Sequence, residues 1–142
     1  MKLKAGRERG GTLVEAAITL TLLFLFILGI LEFGRAFDIY QILTNGAREG
    51  ARFAVAPCSA TGTTCTPGAL PTVSEIQGQV NNFLASGNVK GATVEVTQTT
   101  TTVNNVTLAY TQVTVRAPYT FVFFPFGTKI MQAISTMRNE TN

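Results

Sequence analysis

Residues 11–35 read GTLVEAAITLTLLFLFILGILEFGR. Residues 16–31 of this stretch carry no charge and are apolar almost throughout. As a helix, these sixteen residues rise about 24 Å. That is less than the ~30 Å of hydrocarbon in a bilayer. Adding residues 12–14 makes up the difference and draws Glu15 into the membrane or its interface. A lone carboxylate there is costly without a partner. Glu15 therefore either meets a positive charge or sits at the headgroup level.

Outward on the amino-terminal side stand Lys2, Lys4, Arg7 and Arg9, followed by Gly10-Gly11. The first ten residues hold four bases and one acid, Glu8, for a charge of +3, which is the whole formal net charge of the chain. Residues 11–142 balance seven bases against seven acids. The basic pI thus comes from the leader and says nothing about nucleic acid. Positive charge just before an apolar span keeps that end in the cytoplasm and sends the remainder across. A secretory signal peptide is the nearest rival. The run is long for one, and no small-x-small cleavage site follows promptly, so a retained span is the better reading.

On the carboxyl side the run continues as a helical pattern. Phe33, Phe37, Tyr40 and Leu43 or Thr44 recur at spacings of three and four, as do Ala47, Ala51 and Ala54 with Val55. Pro57 stops it. One helix over 11–55 would be about 65 Å long, half of it projecting from the membrane. Gly29, Gly34, Gly46 and Gly50 interrupt the pattern, each costing up to about 1 kcal/mol relative to Ala. Gly46, Ala47, Gly50 and Ala51 form a small-residue face that permits close approach. It packs either on the chain's own head or on another subunit. Glu32 closes the apolar run at a wet interface, and pairing with Arg35 at i+3 accounts for it.

Residues 56–72 are rich in Pro, Gly, Ser and Thr and read as a surface loop. Val73, Ile76, Val80, Phe83 and Leu84 predict a short amphipathic helix, with Ser74 near its start and Gly87 beyond its end. Beyond it the chain turns to β character. Val94 and Val96 alternate with Thr93, Glu95 and Thr97. Asn104-Asn105 is a turn candidate. Leu108 and Tyr110 share one parity and Val113 and Val115 the other, which a bulge near Thr111-Gln112 would reconcile. Pro118 marks a local edge or bend. Residues 119–126 (YTFVFFPF) are a dense aromatic patch. It is either a strand against the long helix or an exposed surface that meets a partner or the membrane. Residues 130–137 form a last strand or a helix. Helices followed by strands argue for an α+β fold: a long amino-terminal helix packed on a small antiparallel sheet, with a short second helix.

Catalysis is not expected. The chain has no His, which removes His-based nucleophile activation. The acids are scattered, and no glycine-rich phosphate loop follows a strand. Neither cofactor nor metal is implied.

The words Arg9-Gly10-Gly11-Thr12-Leu13-Val14-Glu15, Glu32-Phe33-Gly34-Arg35, Gly46-Ala47-Arg48-Glu49-Gly50-Ala51-Arg52 and Met137-Arg138-Asn139-Glu140 together resemble the TadE-like family, pilin-related proteins of tight-adherence (Flp) secretion systems. The first word also resembles the processing site of type IV prepilins, which a membrane peptidase cuts after the Gly. There are departures: Ala16 stands where many members have an aromatic, Thr21 near where many have Pro, and Gly11 where many type IV pilins have Phe or Met. The resemblance touches both ends of the chain, leaves the middle uncovered, and implies a leader of residues 1–10 removed between Gly10 and Gly11. With the patterns above, the chain divides into a helix over about 11–55, its span at about 12–31 and its exported half at about 32–55, a loop at 56–72 and an α+β, pilin-like head at 73–142. Glu15 would pair with the new terminal amine, of its own or a neighbouring subunit, during assembly. Cys58 and Cys65, on the exported side, are most simply a disulfide. The other option is free thiols or half a metal site, although zinc lacks further His or Cys ligands here.

The implied partners are a prepilin peptidase, other pilin-like subunits in a homo- or hetero-oligomer, the inner-membrane assembly machinery and the membrane itself. The implied location is a bacterial inner membrane, single pass with the amino terminus cytoplasmic and the head exported, or an extracellular filament. Two alternatives remain: a principal filament-forming pilin, and an uncleaved single-span protein whose exported head binds a partner.

Overall fold

The computed structural model describes residues 5–56, 70–103 and 106–139. Its first element, α1 (Ala5–Val55), is a continuous helix of 51 residues, about 76 Å long at 1.5 Å per residue. The sequence predicts a start near Gly11. The helix begins earlier and crosses Gly10-Gly11 without a break, because no Pro is present to stop it. It also runs unbroken through Gly46 and Gly50.

Its two halves meet different surroundings. From Leu13 to Leu31 all the large apolar side chains but Leu28 stand exposed, as do Phe33, Phe37 and Tyr40 beyond them. Among the described residues this is the one helix long and apolar enough to cross a membrane. The second half buries a stripe comprising Glu32, Leu43, Gly46, Ala47, Gly50, Ala51 and Ala54, with Ile39 and Ile42 partly covered beside it. The helical period is as predicted, but the face is not. Phe33, Phe37 and Tyr40 lie on the outer side, where Phe33 stacks on Phe37 with ring centroids 6.3 Å apart. Leu43 alone of that predicted series is core.

The second helix, α2 (Val73–Ser86), has Ser74 in its first turn and Gly87 just past its end, as expected, and Thr72 is its N-cap. Thr72 Oγ1 accepts from the Glu75 amide at 3.4 Å, and the Glu75 carboxylate accepts from the Thr72 amide at 2.8 Å. This reciprocal capping box satisfies two donors that a helix start leaves open. Ile76, Val80 and Leu84 form its buried stripe.

The strands β1 (Thr93–Val103), β2 (Val106–Thr120) and β3 (Thr128–Asn139) form an antiparallel sheet in the order β1-β2-β3. The final segment is thus a strand, and the Thr-rich run belongs to β1. Residues 104–105, the turn candidate, lie outside the described residues, although Val103 and Val106 pair across them. Register is constant from Thr93↔Arg116 to Val103↔Val106, so β2 contains no bulge. Thr111, Val113, Val115, Ala117 and Tyr119 all face the helices. Leu108 and Tyr110, of opposite parity, fall on the other face. Pro118 pairs with Ile130 of β3 beyond the last β1 partner of β2, where the strand is locally an edge.

Both helices cover one face of the sheet. The core joins Leu43, Ala47, Ala51 and Ala54 of α1 to Ile76, Val80 and Leu84 of α2 and to Val113, Val115, Ala117 and Ala133 of the sheet. Gln77 Nε2 of α2 donates to the Val94 carbonyl at 3.1 Å and ties that helix to β1. At the far end of the sheet the buried Thr111 hydroxyl donates to Asn139 Oδ1 at 2.9 Å.

Candidate functional site

Three places on α1 carry the residues of interest. The first is its amino-terminal end. Gly10 and Gly11 are exposed within the helix, and a Cβ on either would meet nothing within 4 Å. Glu15 is one turn further on and also exposed. Its backbone carbonyl accepts from Thr19 Oγ1 at 2.9 Å, and among the described residues no side chain meets its carboxylate. Helical geometry thus sets Gly11 and Glu15 on one face, four residues apart.

The second is the small-residue face. Ala47 and Ala51 are wholly buried. A Cβ on Gly46 would lie 3.3 Å from Leu84 Cδ2 and from Phe83 Cδ1. One on Gly50 would run into Val80 Cγ2 and approach Val113 Cγ1 to 3.3 Å. This face is therefore occupied by α2 and β2 of the same chain, and the glycines are what let those elements come so near. On the neighbouring face Arg52 makes a two-pronged pair with Glu49, at 3.2 and 3.1 Å.

The third is one that sequence patterning does not reveal. Glu32, expected at a wet interface with Arg35 as sufficient partner, is only 3% exposed. The Arg35 pair is present at 3.3 Å, but it is the smaller part of the arrangement. The Tyr119 hydroxyl at the end of β2 donates to Glu32 Oε1 and lies 3.1 Å from the Glu32 carbonyl. The backbone amides of Val122 and Phe123 donate to Glu32 Oε2 at 3.1 and 3.0 Å. The Arg35 guanidinium also lies over the Tyr119 ring, 5.9 Å from its centroid. A buried carboxylate is tolerated because both of its oxygens are met by donors.

These contacts set the titration of both groups. The Tyr119 hydrogen bond, with help from the Phe123 and Val122 amides and the Arg35 charge, holds the Glu32 carboxyl below its ordinary value against the opposing pull of desolvation. Burial, then the bond to and charge of Glu32, push the Tyr119 hydroxyl above its ordinary value. The arrangement fastens the head to α1 immediately past the apolar span. The sequence offers one clue, an acid ending an apolar run, but its partners lie 87 to 91 residues away. No periodicity connects them.

Tyr119 and Thr120 end β2, and residues 121–127 form a loop rather than the strand that their aromatic composition allows. Cys58 and Cys65 lie outside the described residues, as do residues 1–4. Among the described residues no group of three or more His, Cys, Asp or Glu is placed to hold a metal.

No curated protein and no solved structure matches this chain. Residues 10–52, which lie within α1, match the family of TadE-like proteins, the family that the sequence words resemble.

Proposed function

We propose that this chain is a pilin-related structural subunit. A prepilin peptidase removes residues 1–10, and the mature subunit assembles into or beside a type IV or Flp-like pilus or secretion apparatus used in adherence. The observation that carries this reading is α1 itself. It is one helix whose first half exposes its apolar side chains and whose second half is the backing of the head. A globular protein has no use for such an uncovered half; a membrane-held stalk does.

The ends of that half support the finer steps. The fold does not require glycine at Gly10 or Gly11, since a Cβ on either would stand in open space. Two helical glycines cost stability, so their smallness serves something outside the chain, such as a peptidase that draws backbone through a narrow cleft. Glu15, exposed and unmatched within the described residues, suits a partner created by the cut. A terminal amine ~4 Å away attracts it by several kcal/mol at an effective dielectric near 20, with desolvation offsetting part. The chain acts as a substrate and building block, not as an enzyme.

The test is the intact mass and amino-terminal sequence of the protein from its native membrane, in cells with and without their prepilin peptidase. A chain beginning at Gly11 only where the peptidase is present is expected. Glu15→Ala should then be cut normally but fail to enter the assembled complex. A chain beginning at Met1 in both strains overturns the processing step and leaves an uncleaved single-span protein.

A further inference from the structure

The loop that Glu32 ties down has surface chemistry that the pilin-like reading does not use. Residues 121–126 are Phe, Val, Phe, Phe, Pro and Phe in succession. No charged side chain occurs from 117 to 128, and Lys129 is the next. The rings support one another: Tyr119 meets Phe121 edge-on at 5.1 Å, Phe121 meets Phe126 at 5.5 Å, and Phe126 stacks on Phe124 at 5.6 Å. That cluster leaves Val122 62% and Phe126 64% exposed, and Phe123 nearly half so. Ile130, also exposed, extends the apolar surface onto β3.

The location of the patch is the second observation. Its Val122 and Phe123 amides sit on the carboxylate of Glu32, the residue that follows the last of the apolar run. The loop is therefore held beside the exported end of the span. The opposite end of the sheet, near Ala109, is about 36 Å further along β2. The uncovered apolar surface of α1 and that of the loop are thus neighbours, and whatever solvates the first borders the second.

The geometry points to a second membrane contact. Val122, Phe123 and Phe126 enter the boundary between headgroups and acyl chains beside the span, with Lys129 reaching the lipid phosphates. The head is then attached to the bilayer at two points rather than swinging from one. This inference rests on reading residues 12–31 as a membrane span. Lipid is the occupant because the patch is continuous with that span. The Glu32 bonds fit the same role: a loop that approaches hydrocarbon must have its amides satisfied from within the protein, and the carboxylate does this for those of Val122 and Phe123. A Lys stem alongside can lie on apolar surface while its ammonium stays wet.

The chain contains no Trp, so variants of the full chain with a single indole read each position directly. Phe126→Trp and, as a second position in case one variant misfolds, Phe123→Trp are placed in vesicles of phosphatidylethanolamine and phosphatidylglycerol. Leu25→Trp marks the span and Thr100→Trp the far end of the sheet. Fluorescence quenching by lipids brominated near the headgroup or deep in the acyl chain is compared with quenching by aqueous iodide. In the two loop variants the indole is expected to be quenched by the shallow bromines and protected from iodide. The span variant should be quenched by the deep bromines, and the sheet-end variant by iodide alone. A loop indole that behaves like the sheet-end one, while the span indole meets lipid, overturns the loop contact and leaves the span intact. A loop indole shielded from both quenchers also overturns it, in favour of a protein partner. A span indole untouched by bromine overturns the span and the loop contact together.

Discussion

Adding a single methyl group at Gly50 tests whether the small-residue face is an internal packing surface. A Cβ there collides with Val80 Cγ2 and comes within 3.3 Å of Val113 Cγ1. Both valines are fully buried, and their branched side chains have little rotamer freedom with which to yield. Overpacking of this kind costs about 1–3 kcal/mol, and the better helix propensity of Ala returns up to about 1 kcal/mol. With both contacts made on buried valines, the overpacking falls in the upper part of that range, about 2–3 kcal/mol, so Gly50→Ala should lower stability by roughly 1–2 kcal/mol. Val80→Ala alone removes two buried methyls and should cost about 2 kcal/mol in transfer and cavity terms. Combined, the new methyl occupies space that the valine vacated, so the double variant should be more stable than the sum of the single losses by about 1 kcal/mol or more. The assay is urea unfolding of the full chain in non-ionic detergent micelles, followed by near-ultraviolet circular dichroism and extrapolated linearly. Gly34→Ala is the control, since a Cβ there meets nothing within 4 Å. A Gly50→Ala midpoint at or above that of the parent, or strict additivity in the double variant, would refute the packing of α1 against α2 and β2 described above.

Two further predictions concern Glu32. Tyr119→Phe keeps the buried ring and removes a donor from the carboxylate, so it should destabilise the head by about 1.5–3 kcal/mol, measured in the same urea assay. Because the folded pKa of Glu32 lies below its ordinary value of 4.5, its stabilising share is fully present above that value and is lost as pH falls through the lowered one. Melting temperature against pH should accordingly decline on the acid side, and Glu32→Gln should shrink that decline while speeding hydrogen exchange at the Val122 and Phe123 amides. An acid limb unchanged in Glu32→Gln would mean that another carboxylate governs it.

Much of this protein can be read one residue after another, because the relevant forces act locally. Charge and hydropathy along residues 1–35 determine a basic stretch followed by an apolar run long enough, as a helix, to cross a membrane. The spacing of Ile76, Val80 and Leu84 determines α2, and the alternation of Val94 and Val96 determines β1. Glycines at 46 and 50 announce a close approach. Tertiary structure alone decided what approaches: Leu84 and Phe83 at the first, Val80 and Val113 at the second. It also decided which side of the stalk faces inward. Phe33, Phe37 and Tyr40 look like core by composition, but the sheet and α2 select the smaller Ala and Gly stripe, which lets the helix axis come closer. The unbroken register of β2 likewise belongs to its pairing with two neighbours, which holds Leu108 and Tyr110 outward. The Glu32 site is the clearest case. Its acid, its tyrosine and its two amides are separated by almost the whole length of the head, and only folding brings them within hydrogen-bonding distance.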